Sequence, residues 1–368
     1  MKRKYWSIEK QLNNPNNQII EKWLPPDPHK PFALEISAGK KFDVLSLKGF
    51  NIKEIKDYAS YLKKSAEDLY SDQNLEILDK CPACYKRLNK VNEEFSIFGV
   101  PYSKCKNCGH GFVMKRPNEK RMNAFFREND VLSEVYIDSS SVEKRINEIV
   151  KPKLNWVKNI FLKQFSINPK SFLEVGSGGG HFVATCEREG FSAIGYELSN
   201  SSVKFAKKAF DIDLLQLDFL KVEANQEIDV IAMWGLLEYV NHPRDFIKKA
   251  RNFFDKKGMI IIEVPRLDSL STMSQILNPN NVARHMDPCS HINCFSDVSI
   301  FNALLEEGFK PVAAWYFGMD IYELMIQMTI SSSDKQLIKK CDFMLGSLQK
   351  LIDKSRICDD IVVAAIPI

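Results

Sequence analysis

A glycine-rich stretch that follows an apolar run constrains this chain more than any other feature. Residues 172–181 read Phe-Leu-Glu-Val-Gly-Ser-Gly-Gly-Gly-His. Glycines let the backbone turn sharply and leave no side chain between the peptide and a ligand. A helix after such a turn presents free N–H groups and the positive end of its dipole to that ligand. The pattern predicts a buried strand, a ligand-binding turn and a helix.

The glycine spacing separates two kinds of nucleotide-type cofactor. A dinucleotide-binding loop reads Gly-x-Gly-x-x-Gly, which would place its third glycine where this chain has His181. The chain instead has an acid followed by alternating glycines, at Glu174, Gly176, Gly178 and Gly180. This order disfavours a dinucleotide. A purely structural turn remains an alternative at this point.

Strand and helix signals alternate along the rest of the chain. The apolar runs that predict strands lie at 191–196, 214–217, 228–234, 259–264, 310–317 and 361–368. Apolar strands that alternate with helices are typical of a parallel sheet covered on both faces. Ligands of such sheets bind beyond the carboxyl ends of the strands. Helical patterns at 142–165, before the first strand, and at about 321–356, between the last two, complete this α/β region.

Further polar and aromatic residues follow the predicted strands. Glu197 ends the second strand, and a carboxylate in that place can accept both hydroxyls of a ribose. The alternative for Glu197 is a solvated surface carboxylate. Asp218 with Phe219 ends the third strand, and Trp234 ends the fourth. All four residues therefore belong to the edge where a ligand would bind.

Together these segments resemble class I S-adenosylmethionine-dependent methyltransferases of the types numbered 11 and 23. The resemblance covers roughly 142–320 and the final strand. It implies a Rossmann-like α/β fold with a seven-stranded, mostly parallel sheet and a C-terminal antiparallel strand pair. It also implies S-adenosyl-L-methionine as the cofactor. The residues that would bind it are Glu174, Gly176, Ser177, Gly178, Gly180, Glu197, Leu198, Asp218, Phe219 and Trp234.

The resemblance assigns a part of the cofactor to several of these residues. Glu174 would orient the amino end, Glu197 would bind the ribose, and Asp218 would meet the adenine amino group. Phe219 would pack on the adenine ring. Trp234 would line the methionine part, and burial in the core is the alternative for it.

Two stretches resemble the family's acceptor-side motifs. Residues 236–243 read Leu-Leu-Glu-Tyr-Val-Asn-His-Pro, where Glu238 matches the family and Tyr239 replaces its histidine. An unperturbed tyrosine has a pKa of about 10 and is a poor base. Residues 284–296 contain a His-x-Asn-x-Phe-Ser stretch in which His291 matches, while His285 and Asp287 are additional. Because a hydroxyl acceptor must lose a proton, we predict His291, Glu238 and His285 as catalytic candidates. A backbone hydrogen bond or a helix cap is the alternative for His291.

Two close cysteine pairs precede this region. Cys81 and Cys84 form one pair, and Cys105 and Cys108 form the other, with 20 residues between them. Such spacing is typical of a tetrahedral Zn²⁺ site. Four thiolates leave no open coordination position, so we predict a structural zinc in a zinc-ribbon-like module at 79–125. A redox role, or replacement of one cysteine by His110, is the alternative.

Composition and charge bear on the partners and the location of the protein. The 368 residues carry a net charge of only +4, which is too weak to indicate a nucleic-acid partner by itself. The chain has no apolar run long enough to span a membrane and no signal-peptide pattern, so we expect a cytoplasmic location. Residues 1–78 have no recognisable motif apart from an amphipathic helix at 52–70. The methyltransferase domain is expected to span 142–368.

The functional prediction is methyl transfer to oxygen or carbon of a small-molecule acceptor, a nucleotide sugar or a surface-glycan sugar. One alternative is RNA methylation, because basic residues of the zinc module could bind RNA. These are Lys80, Lys86, Arg87, Lys90, Lys104, Lys106, Lys115 and Arg116. Another alternative is a non-catalytic cofactor-binding protein, which Tyr239 would explain. A homodimer through the C-terminal helices is a further hypothesis.

Overall fold

A computed structural model describes residues 3–11, 19–40, 51–71, 75–89, 92–129, 141–255, 257–281 and 285–368. Lys90, one of the basic residues of the predicted zinc module, lies outside the described residues.

The strands of the described part are the following. They are β1 Ser7–Gln11, β2 Ile19–Leu24, β3 Phe32–Ala38, β4 Glu76–Ile77, β5 Glu93–Ile97, β6 Val100–Lys104, β7 Gly111–Val113, β8 Lys115–Arg116, β9 Ser171–Val175, β10 Ser192–Tyr196, β11 Val230–Trp234, β12 Met259–Pro265, β13 Asn293–Cys294, β14 Phe309–Phe317 and β15 Asp360–Pro367.

The helices of the same residues are α1 Ile52–Tyr70, α2 Glu119–Glu128, α3 Val142–Arg145, α4 Lys151–Phe165, α5 His181–Arg188, α6 Asn200–Phe210, α7 Pro243–Arg251, α8 Leu270–Leu277, α9 Asp297–Glu306, α10 Asp320–Ser331, α11 Leu337–Lys340 and α12 Asp342–Ser355. A π-helical turn, Ile146–Val150, joins α3 to α4. Pro152 lies shortly after this turn, and because it has no N–H to donate, the regular hydrogen-bond pattern is interrupted where the π-helical turn lies.

The predicted α/β sheet is confirmed. Strands β10, β9, β11 and β12 are adjacent and parallel, and β15 runs antiparallel between β12 and β14. The C-terminal antiparallel pair is therefore present. Successive residues of β9 point to opposite faces, as the pleat requires. Phe172 packs with Leu154 and Phe161 of α4, whereas Leu173 packs with Ile247 and other residues on the opposite face.

The strand count differs from the predicted seven at both edges of the sheet. The segment predicted as a strand at 214–217 forms only an isolated bridge between Leu215 and Tyr196. Leu217 is half exposed, and Asp218 starts a 3₁₀ turn directly afterwards, so the segment has neither the burial nor the length of a strand. At the other edge β3 pairs in parallel with β14 and is followed by β2 and β1, giving nine strands.

The N-terminal strands join the large sheet because β14 is buried along almost its whole length. An edge strand with unpaired backbone groups is unfavourable unless another segment covers it. Strand β3 supplies that cover and alternates buried and more exposed positions, with Phe32, Leu34 and Ile36 facing the core. Residues 19–38 are thus part of the same sheet as the glycine loop.

The cysteine pairs lie beside a smaller sheet of order β13-β7-β6-β5. Its strand β13 comes from the segment that carries His291, since Asn293 pairs with Phe112 and Cys294 with Gly111. Helix α1 packs on this sheet through Leu62 and neighbouring apolar residues. The predicted module therefore shares its core with a loop from the far end of the sequence.

None of the described helices combines the length and apolar character needed to cross a membrane.

Candidate active site

A cavity of about 850 Å³ opens at the carboxyl ends of the parallel strands. Its wall includes the glycine loop, the ends of β10, β11 and β12, and the loop that carries His291. Helices α1, α2 and α10 also contribute residues to the wall. The cavity thus lies where an α/β sheet is expected to bind its ligand.

The glycine loop has the backbone geometry that its sequence predicts. Gly176, Gly178 and Gly180 have φ values of 73°, 50° and 76°, in the left-handed region that favours glycine. A Cβ on Gly180 would lie 2.8 Å from a methyl group of Ile212, whereas a Cβ on Gly178 would meet no atom within 4 Å. A side chain at position 180 would collide with its neighbours, so packing requires glycine there. At position 178 the missing side chain leaves room for a ligand. Ser177 is buried below the loop and donates to the carbonyl of Glu174 at 3.2 Å.

Glu197 fixes the glycine loop to the end of β10. Its Oε2 accepts the N–H of Gly178 at 2.7 Å, and its Oε1 accepts the N–H of Ser199 at 2.7 Å. Each carboxylate oxygen can accept a second hydrogen bond, so a pair of ribose hydroxyls can still bind here. Leu198 lines the cavity beside it. Burial raises the pKa of Glu197, and the backbone N–H groups partly offset that effect.

Glu174 lies below the loop in a charged cluster that sequence reasoning missed. Burial raises the pKa of Glu174 well above its usual range. Lys153 pairs with Glu263, and its ammonium lies 4.6 Å from the ring centre of Trp234. Lys40 also lines the cavity, and burial followed by the charge of Lys153 lowers its pKa to about 7. The two lysines come from distant segments without any motif, so no local signal could have identified them.

Asp218 and Phe219 occupy different environments. Asp218 Oδ1 accepts the N–H of Leu220 at 3.1 Å, and Oδ2 lies 3.1 Å from Lys221 Nζ. The Phe219 ring stacks on Phe253 with centroids 5.6 Å apart and is only 2% exposed. Both residues line the cavity, but most of the Phe219 ring belongs to the core.

The acceptor-side motifs bring three ionisable side chains together. His291 Nε2 lies 4.0 Å from Glu238 Oε1, and His291 Nδ1 lies 3.9 Å from Asp287 Oδ2. All three side chains are at least nine-tenths buried and line the cavity. Burial raises the pKa of Glu238 well above its usual range, which favours its neutral, hydrogen-bond-donating form. This arrangement can take up and hold a proton.

The other two residues of the acceptor-side stretches have different positions. His285 Nε2 lies within hydrogen-bonding distance of Thr272 Oγ1, at 2.9 Å, and of the Arg266 carbonyl, at 3.1 Å. It is 2% exposed and also lines the cavity, so its catalytic role stays a prediction. The Tyr239 ring packs 5.2 Å from the His291 ring. Tyr239 therefore covers His291 instead of standing in for a base.

Part of this chain is similar in sequence to known proteins. Residues 151–314 match a family model, Methyltransf_23, described as a methyltransferase domain. The chain contains a class I S-adenosylmethionine-dependent methyltransferase domain. Ubiquinone biosynthesis O-methyltransferase of Schizosaccharomyces pombe is 22% identical over 190 residues, which cover 49% of this chain and 69% of that protein. The enzyme of the same name from Nitrosomonas europaea is 23% identical over 161 residues, covering 42% and 67%.

A solved structure is also similar to this chain. It is the magnesium protoporphyrin IX methyltransferase from Synechocystis with bound SAH. That match has 11% sequence identity and a TM-score of 0.45, and it covers 68% of this chain and 100% of the other.

The four cysteines lie together at the side of the methyltransferase domain. Their sulfur atoms are all within 4.8 Å of one another and buried. Cys81 Sγ is 3.7 Å from Cys108 Sγ, and Cys84 Sγ is 3.7 Å from Cys105 Sγ. Four sulfurs about 2.3 Å from a tetrahedral Zn²⁺ would be about 3.8 Å apart. The donor set therefore fits that ion, and His110 is outside it, with its imidazole 3.3 Å from Asn293 Oδ1.

Two of the described basic residues of this module have partners within the protein. Arg116 is fully buried, and Lys104 pairs with Asp268 at 3.1 Å. Arg116 was visible in the sequence only as one basic residue among many. Its hydrogen-bond partner Asn293 was easier to identify from the sequence, because it is the asparagine of the His-x-Asn stretch.

Proposed function

We propose that the methyltransferase domain transfers a methyl group to a hydroxyl of a small polyhydroxylated acceptor, with His291 as the proton acceptor. The observation that carries this proposal is the placement of His291 between Glu238 and Asp287 in the cavity that the glycine loop also lines. When bound, S-adenosylmethionine supplies an activated methyl group whose sulfur keeps the electron pair of the broken bond. His291 takes the hydroxyl proton, and the nearby carboxylate of Asp287 stabilises the imidazolium that forms.

Oxygen is favoured over carbon as the acceptor atom for two reasons. A hydroxyl needs a base only as strong as an imidazole, whereas an unactivated carbon acid needs more assistance than this site offers. The relatives from Schizosaccharomyces pombe and Nitrosomonas europaea are both O-methyltransferases by name. Carbon methylation would require an acceptor whose own carbonyl acidifies the C–H bond.

A sugar, free or nucleotide-linked, matches the composition of the acceptor side of the cavity. The carboxyl groups of Glu238, Asp287 and Glu323 line it, and carboxyl oxygens accept hydrogen bonds from hydroxyl groups. Tyr239 and Tyr322 add rings that can cover the apolar face of a sugar. This combination supports a nucleotide sugar or a surface-glycan sugar as the acceptor.

The test is a labelled-methyl assay on the purified protein. We expect label to pass from S-adenosylmethionine to one class of hydroxylated acceptor in a panel of nucleotide sugars, free sugars and phenols. Mass spectrometry of the product would show the methyl group on oxygen. Label on carbon or on RNA, or tight cofactor binding with no labelled product in fractionated cell extract, would contradict the proposal.

We also propose that Cys81, Cys84, Cys105 and Cys108 hold a structural Zn²⁺. The sulfur separations and the absence of an open position in a four-thiolate set support this role over catalysis. Metal analysis of protein purified without chelator should give one zinc per chain. The predicted homodimer through the C-terminal helices stays a prediction.

A further inference from the structure

A single buried arginine connects the zinc-binding module to both acceptor-side loops. Arg116 lies in β8 and is 0% exposed. Its Nη2 donates to the carbonyl of Asn241, and its Nη1 donates to Asn293 Oδ1 at 3.4 Å. Its Nε lies 3.6 Å from the carboxylate of Glu76. One planar guanidinium thus reaches two loops at fixed angles, as only arginine can.

Asn293 extends this connection from one loop to the other. Its Nδ2 donates to the carbonyls of Val240, at 2.7 Å, and Leu237, at 3.2 Å. Its backbone N–H donates to the carbonyl of Glu238 at 3.2 Å. Asn293 is fully buried and lies two residues after His291. The loop of Glu238 and the loop of His291 are therefore tied by side-chain and backbone bonds.

A second asparagine closes the network. Asn241 donates from Nδ2 to Glu76 Oε2 at 2.9 Å and to the carbonyl of Pro117 at 3.0 Å. Glu76 and Arg116 pair in the short sheet of β4 and β8. Each end of the loop that carries Glu238 is thus bound either to Asn293 or to the segment around Arg116.

We infer that Arg116 is a positioning residue for methyl transfer, which sets the separation of Glu238 and His291 through Asn293 and Asn241. Arg116 touches no reacting atom and acts only by holding these two loops. The inference rests on the proposed role of His291. It also gives the zinc-binding module a function in this protein, because the module carries the arginine.

The first variant is Arg116→Lys. It keeps the positive charge but cannot reach both loops with a fork of donors. Misplacement of a catalytic group by about 1 Å can lower a rate by about 10²-fold, so we expect kcat to fall by about that factor. The cofactor Kd should change by less than about twofold, because Glu197 and the glycine loop are outside the network. Hydrogen exchange of residues 236–242 and 287–294 should rise together.

Asn293→Asp provides a second variant in case the first does not fold. It retains the oxygen that faces Arg116 but replaces the amide donor toward Val240 and Leu237. We expect the same loss of kcat and the same two-loop increase in exchange. Lys115→Gln, an exposed neighbour in β8, is the matched control and should leave all three measurements unchanged.

Two results would overturn the inference. The first is a folded Arg116→Lys protein whose kcat equals that of the parent. The second is increased exchange throughout the sheet, which would show a general folding role. If the parent transfers methyl to no acceptor, the proposed function fails, while paired exchange of the two loops still decides whether Arg116 couples them.

Discussion

The hydroxyl group of Tyr102 donates a hydrogen bond of 2.9 Å to the backbone carbonyl of His291. Tyr102 belongs to the sheet beside the four cysteines, and His291 belongs to the wall of the cofactor cavity. Ser296 adds a second link, since its Oγ donates to the carbonyl of Cys108 at 2.7 Å. The cysteine module is separate from His291 in the sequence, but in the fold it holds the backbone at His291, the candidate base, by a direct hydrogen bond.

Replacement of His291 should separate catalysis from cofactor binding. We expect His291→Gln to lower kcat by about 10²–10⁴-fold, the usual contribution of a general base. The cofactor Kd, measured by calorimetry, should stay near the parent value. His29→Gln changes a histidine that pairs with Glu306 away from the cavity and should have full activity. A His291→Gln protein with parental kcat would remove His291 from the mechanism.

Replacement of Glu197 should weaken cofactor binding. Glu197→Gln replaces one carboxylate oxygen by an amide donor, which would face the N–H of Gly178 or Ser199 and cannot accept a ribose hydroxyl. Losing a charge-assisted hydrogen bond costs about 1.5–3 kcal/mol, so we expect the cofactor Kd to rise by at least tenfold. Glu187→Gln on the exposed surface of α5 is the control. Unchanged affinity in the Glu197 variant would exclude a ribose contact.

Metal removal should act on the acceptor side through the contacts of Tyr102 and Ser296. We expect Cys105→Ser, or exposure of the parent to a strong chelator, to lower the zinc content, the Tm and the methyl-transfer rate. Cofactor binding should decline much less, because the glycine loop packs on the large sheet. Cys341→Ser, outside the cluster, should retain zinc. Full activity in zinc-free protein would show that the module is dispensable.

Lys40 should make stability depend on pH. Burial, followed by the charge of Lys153, lowers the pKa of Lys40 in the folded protein to about 7, below its usual 10.5. Between these values the unfolded chain binds more protons, so the free energy of unfolding should rise as pH increases from 7 to 10.5. Below pH 7 Lys40 is protonated in both the folded and the unfolded chain, so it adds no further pH dependence and the gain in stability is absent.

The variant Lys40→Met should remove that rise, as urea unfolding at pH 6.5 and pH 9.5 would show. At pH 6.5 we expect the variant to be more stable than the parent by an amount on the order of 1–3 kcal/mol, because no charge has to be buried. Lys170→Met, at an exposed position, should keep the parental pH dependence. A parental slope in Lys40→Met would mean that other groups cause it.

The sequence alone determined the parts of this protein whose chemistry is local. The left-handed conformations of Gly176, Gly178 and Gly180 follow from the residue type, because other side chains disfavour that backbone. The parallel sheet follows from apolar runs that alternate with helical patterns. The cysteine cluster follows from two close pairs whose turns each bring their thiols together. In each case the residue types and their spacing along the chain carry the signal.

Only the tertiary structure decided which distant segments meet. Strand β3 extends the large sheet because β14 leaves a buried edge, and an uncovered edge has no signal in either strand's own sequence. Arg116, Lys40 and Lys153 were ordinary basic residues in the sequence until the fold placed them beside the cavity or its loops. The pair of Glu238 and His291 depends on β13 joining the cysteine module. Burial and long-range pairing are properties of the folded chain, so local residue patterns cannot specify them.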